Sequence, residues 1–270
     1  MKRSFVLLLC VLVYTVGCNG ALRVQAPELT AIYMDASAVT VYWEQNPTIE
    51  SHADFQGYNI YVYTDSSALL VENGEELNKW NTQVIEDTSF LVNGLPQDSI
   101  YFFQVRTVNT DDKVGDYNGT TPFVRASTRP EFTVTLRIAD LGLPANDSCA
   151  LRFADGSVMA DSMMVDSAAD MWARMANDTL YIVSPDGHPN FGTGARSTFF
   201  TNAGSGDFST TNSVTTEPDL GELVCNALDI VVAKTEDSNY AKIYVESIDM
   251  QNGVVTLLFA YQNIAEFPYF

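Results

Sequence analysis

From Pro27 to Pro130 the chain is built of short alternating segments separated by turn residues. Val39, Val41 and Trp43 stand at every second position, with Thr40, Tyr42 and Glu44 between them. That period predicts a half-buried strand with one face inward. Tyr58 to Tyr63 follows Gly57 and is rich in β-branched and aromatic residues, which suit a pleated surface. Phe90 and Val92 alternate with Leu91 and Asn93 ahead of Gly94. Tyr101 to Val108 and Thr121 to Ser127 predict two more strands.

Beyond residue 130 the same period continues. Phe132 to Ile138 alternates strictly, Cys149 to Phe153 is short and β-compatible, and Asp155-Gly156 reads as a hairpin turn. Ala168 to Met175 fits two templates. Met171, Trp172 and Met175 have helical spacing, whereas Met171, Ala173 and Met175 alternate, and the flanking β pattern favours a strand. Thr179 to Val183, Leu228 to Lys234, Tyr240 to Ile248 and Val254 to Gln262 complete the strands, with Asn252-Gly253 as a hairpin signal between the last two. The stretch from Pro185 to Asp219 is rich in Gly, Ser, Thr and Asn, and only Thr198-Phe199-Phe200 interrupts it as a short strand. This predicts a long surface loop, a place where binding surfaces often form.

The N-terminus has a different pattern. Lys2 and Arg3 precede an apolar run from Phe5 to Val16, the layout of an export signal. The run is short of the roughly 20 apolar residues that span a bilayer, and no later segment approaches that length. Thr15-Val16-Gly17-Cys18 resembles the bacterial lipobox, although Thr15 stands where Leu is usual. The expectation is a signal peptide over 1–18, lipidation at Cys18 and a short tether over 19–26. Cleavage after Gly20 is the alternative. Lipidation anchors a protein to a membrane without spanning it. The lipobox resemblance implies a cell-surface or outer-membrane lipoprotein, and cleavage after Gly20 implies a secreted one.

The anchors of the first half resemble the fibronectin type III domain. They are Pro27 at the first strand, Trp43 on the second, Tyr58 with Ile60 on the third, and Leu95 six residues before Tyr101. Leu95 and Tyr101 match the tyrosine corner, in which the phenol bonds back to nearby backbone. The sequence departs from the pattern at Pro96, one place early, and in the long stretch from Asp65 to Asp87, which implies extra loop or an added edge strand. The fold expected is all-β. A fibronectin type III-like sandwich over 27–130 is followed by a second antiparallel sandwich or jelly-roll-like domain over 131–270. Such modules are mostly spacers and binding units, and fold alone does not give function.

Charge narrows the classes of partner. The chain carries 14 basic and 34 acidic residues, a net of −20. Nucleic-acid binding needs basic patches, so none is expected. Cys149 and Cys225 remain after the signal, and in an oxidising compartment they are expected to pair, closing a loop of about 77 residues. Such a bridge is worth roughly 4 to 5 kcal/mol in the chain-entropy model.

The sequence holds no nucleophile elbow, zinc-protease motif, phosphate loop or dinucleotide fingerprint. No cofactor or metal is expected. Its only histidines, His52 and His188, both lie in polar turns and read as solvated. The leading expectation is a non-catalytic surface lipoprotein that binds an extracellular protein or glycan. A carbohydrate-binding accessory protein would use exposed aromatics, with Trp80 and Trp172 as candidates. Haem capture would draw on His188 and the methionines Met159, Met163, Met164, Met171 and Met175, for which core filling is the competing explanation. A glycoside hydrolase would need two facing carboxylates.

Overall fold

A computed structural model describes residues 27–44, 47–140 and 146–270. The expected signal peptide, Cys18 and tether lie outside the described residues. The chain is all-β, and every ladder between named strands is antiparallel.

In the first half, β1 (Leu29–Met34), β2 (Ala38–Trp43) and β4 (Ser89–Asn93) form one sheet in the order β1-β2-β4. The facing sheet has the order β3-β5-β6, from β3 (Phe55–Tyr63), β5 (Tyr101–Asn109) and β6 (Val124–Ala126). The alternating Val39, Val41 and Trp43 point inward, as expected. Val39, Val41, Trp43, Ile60, Val92, Phe103 and Val105 share one core, in which Trp43 meets Tyr58 edge-on with 5.3 Å between ring centroids. Gly57 sits at a register shift of β3 with φ +152°, where an added Cβ would lie 2.5 Å from the Ile85 carbonyl oxygen.

The second half is a sandwich of two five-stranded sheets. One has the order β13-β11-β10-β8-β9, built from β8 (Ala150–Arg152), β9 (Ser157–Met159), β10 (Met171–Ala176), β11 (Thr179–Val183) and β13 (Glu222–Cys225). The other has the order β12-β14-β15-β16-β7, from β7 (Glu131–Arg137), β12 (Thr198–Ser205), β14 (Asp229–Thr235), β15 (Tyr240–Asp249) and β16 (Val254–Tyr261). Between the sheets lie Leu136, Phe153, Met171, Ile182, Phe200, Ile243, Leu257 and Phe259. The nearly all-apolar β16 lies inside its sheet, flanked by β15 and β7.

The ambiguous segment resolves as strand from Met171 onward, which follows from the neighbours on both sides: β10 pairs with β8 and β11. The loop expected over 185–219 is shorter than foreseen. Strand β12 extends to Ser205 because it pairs along β14, and Leu220 bridges to Phe200.

The expected Cys149–Cys225 disulfide is corrected: both cysteines are free and buried. Cys225 is on edge strand β13, and Cys149 immediately precedes β8. Two strands, β11 and β10, lie between them, a separation of about 14 Å at the usual strand spacing. They also face opposite ways. Cys225 joins the core between the sheets, while Cys149 packs with Trp172 on the outer side. No bridge spans such a gap without moving backbone. Burial pushes both thiols up to about 12, which keeps them protonated.

Candidate functional site

The long connection from β3 to β4 shapes the first domain's outer surface. Two short 3-10 turns, Ser66–Leu70 and Gly74–Glu76, open it. Asp65 and Asn73 cap these turns by accepting from Ser67 N and Glu75 N. The chain then runs beside β3, with bridges from Lys79 to Tyr61 and from Ile85 to Tyr58. Asn81 completes the pairing. Its Oδ1 accepts from Ile60 N at 2.9 Å, and its Nδ2 donates to Asn59 Oδ1 at 2.9 Å. The expected extra loop is thus also an irregular cover for a sheet edge, which blunts edge-to-edge pairing.

Arg106 holds this connection in place. It is fully buried on β5. Its guanidinium donates to the carbonyls of Leu69 at 3.1 Å and Val71 at 2.9 Å, and its Nε to Gln104 Oε1 at 2.7 Å. The rings of Tyr61 and Tyr117 lie 5.9 and 5.3 Å away. A planar fork of five donors suits several carbonyls at once. Desolvation lowers the Arg106 pKa, with Tyr61 and Asp116 opposing it. Gly74 is required beside it, since a Cβ there would meet Arg106 Nη1 at 2.9 Å and Val114 Cγ1 at 2.5 Å.

Between this connection and the turn after β5 lies an open groove of about 550 Å³. Asn59 and Tyr61 lie on its β3 side, Glu75 and Lys79 on one flank, and Asp111 to Lys113 on the other. Lys113 and Glu75 form an exposed ion pair of 3.1 Å across it, a contact of small energetic value. The lining mixes three carboxylates with two ammonium groups and amides, and holds no His, Cys, Ser or Thr. Such a surface offers reversible polar recognition through charges of both signs and amides.

The aromatic candidates do not meet there. Trp80 is 42% exposed but does not line the groove. Its neighbour Lys79 bridges to Tyr61 and lines the groove. Trp172 is corrected from an exposed candidate to a fully buried residue whose Nε1 donates to the Ser184 carbonyl at 3.1 Å. His188, expected in a solvated turn, is also buried. Its ring lies 4.3 Å from that of Trp172 and 5.1 Å from that of Phe191. Nδ1 accepts from the Asn190 and Phe191 N–H groups, and Nε2 faces Asp161 Oδ2 at 3.7 Å. Burial lowers the His188 pKa, with Asp161 opposing it, so the ring is neutral.

The methionines do not converge on His188. Met159 and Met164 pack with Trp172, Met171 belongs to the core between the sheets, and Met163 is exposed. Among the described residues no group of three or more metal-ligating His, Cys, Asp or Glu side chains is gathered. No helix among them is long and apolar enough to cross a membrane.

The fibronectin type III domain model matches residues 25–117, and this part of the chain is a fibronectin type III domain. Strand β6, beyond the matched residues, completes the sheet by pairing Tyr101 with Ala126. No curated protein matches the chain.

Arg106 and Gly74 were not selected from sequence. The available signal was an arginine inside the predicted strand Tyr101 to Val108, preceded by a connection too long for a plain sandwich.

Proposed function

We propose that the protein is a non-catalytic surface lipoprotein that serves as a binding or assembly module of the cell envelope, anchored through Cys18. The groove held by Arg106 carries the reading, because it is a built, open, polar surface suited to reversible recognition. The lipobox-like Gly17-Cys18 and the acidic composition support an extracellular setting. The partner is an extracellular protein or glycan with both charge signs or neutral polar groups. Expression of the full chain in a bacterial host tests the anchor. Intact mass is expected to begin at a diacylated or triacylated Cys18, and Cys18→Ala is expected to leave the membrane fraction. A chain beginning at Ala21 without lipid overturns the anchor. Hydrolysis of a common substrate, abolished by one carboxylate substitution, overturns the non-catalytic reading.

Carbohydrate binding is the second reading, and the exposed Trp80 favours it. An indole face stacks on sugar rings and on partner side chains alike. Glycan-array binding lost in Trp80→Ala would select it.

A further inference from the structure

Lys242 is the third residue of β15 and is fully buried. Its side chain points away from the core between the sheets, since its neighbours Ala241 and Ile243 point into that core. The register places it in a cross-strand row with Val232 on β14, Ala260 on β16 and Glu131 on β7. A lysine on such a face normally reaches water. Here two chain segments cover it. One runs from Asp207 to Val214 and the other from Ile264 to Phe270. They are joined by Val214 N to Pro268 O at 2.9 Å, Phe270 N to Asn212 O at 3.0 Å, and a bridge between Ser213 and Tyr269.

The amine is fastened to the underside of this strap. Nζ donates to the Phe208 carbonyl at 2.8 Å and the Thr211 carbonyl at 2.9 Å. It lies 4.1 Å from the Phe208 ring centroid and 5.8 Å from that of Phe270. The same strap touches the first domain. Tyr269 packs against that domain's core, and Arg125 on β6 lies over the rings of Tyr269 at 5.0 Å and Phe267 at 5.7 Å. Lys242 therefore sits under the segment that joins the two halves of the molecule.

We propose that Lys242 makes this strap a pH-sensitive clamp, seated firmly when the amine is neutral and loosened when it is protonated. The charged groups around it are Arg129, which opposes an ammonium, and Glu131 and Asp207, which favour one. The two carbonyls and the Phe208 ring also favour the charge. Desolvation outweighs them and pulls the amine down to about 7. With the strap lifted, the amine meets water and returns towards the ordinary lysine value of about 10.4. The seated state then binds fewer protons than the lifted state between those limits. Seating is strongest above the upper limit and weakens as pH falls to the lower one. Below the lower limit the lysine makes no further difference.

Hydrogen exchange of the full chain tests this at pH 7 and pH 9.5, corrected for intrinsic rates. Peptides covering 207–214 and 264–270 are compared with β16 as an internal reference. The expected result is strap protection that rises at least tenfold relative to β16 at the higher pH, and a rise that is absent in Lys242→Met. An unchanged ratio in the wild-type protein, or a rise that persists in Lys242→Met, overturns the clamp. Should Lys242→Met fail to fold, the Cε carbon shift of Lys242 in the wild-type chain decides. A titration midpoint near neutrality supports the proposal, and one in the ordinary lysine range overturns it.

Discussion

The Tyr101 hydroxyl donates a 3.0 Å hydrogen bond to the Pro96 carbonyl, five residues earlier. Leu95 is buried beside it, and Thr128 Oγ1 donates to the same Pro96 carbonyl at 3.2 Å. The corner ties the turn before β5 to the segment after β6. Tyr101→Phe removes one donor and leaves the acceptor with another. Its expected cost is about 1 kcal/mol, read as a lower urea midpoint with an unchanged slope.

Arg106 links the core to the groove, so its loss is expected to affect both. Arg106→Met keeps the stem but leaves the Val71 carbonyl without its side-chain donor and the Leu69 carbonyl with Gln104 Nε2 alone. A cost of about 3 kcal/mol follows from charge-assisted bonds of this kind. Faster hydrogen exchange confined to residues 66–80 is the accompanying signature. Arg106→Lys is expected to rescue little, because an ammonium cannot present a planar fork.

The tryptophans divide by burial. Trp43 and Trp172 are enclosed, while Trp80 is 42% exposed. Acrylamide is therefore expected to quench the Trp80 component alone, checked with Trp80→Phe. Trp172→Ala removes a buried indole and is expected to cost about 3 to 5 kcal/mol. Trp80→Ala is expected to cost about 0.5 kcal/mol or less, as at other exposed sites.

His188 is a source of acid sensitivity. Its folded pKa lies below the ordinary histidine value because the ring is buried. As pH falls from that ordinary value towards the folded one, the unfolded chain takes up a proton that the folded chain refuses, and stability drops. His188→Asn is expected to flatten the fall in thermal midpoint below about pH 6.5. An equal slope in both proteins would reject this source.

Reductant is expected to change neither mass nor melting temperature, since Cys149 and Cys225 are unpaired. Iodoacetamide is expected to modify neither in the folded state and both in denaturant, because burial holds the thiols up to about 12.

Periodicity was the informative signal. A residue's side of a strand follows from its place in a two-residue repeat, so the inward set Val39, Val41 and Trp43 could be read directly. The tyrosine corner was legible too, because both partners and the turn between them are close in sequence. Alternation separates the two faces of a strand, but it does not say what lies over the outer one. Trp172 and Lys242 both point away from the sandwich core, and both are fully buried because distant segments fold across them. His188 lies in a polar turn by sequence and in an aromatic cluster by structure for the same reason. Cysteine count suggested a bridge, and strand order refused it by putting two strands between the thiols. Local pattern thus determined the elements and their inner faces. Long-range packing, which brings residues 66–80 over Arg106 and residues 207–214 and 264–270 over Lys242, decided which charged groups are held away from water.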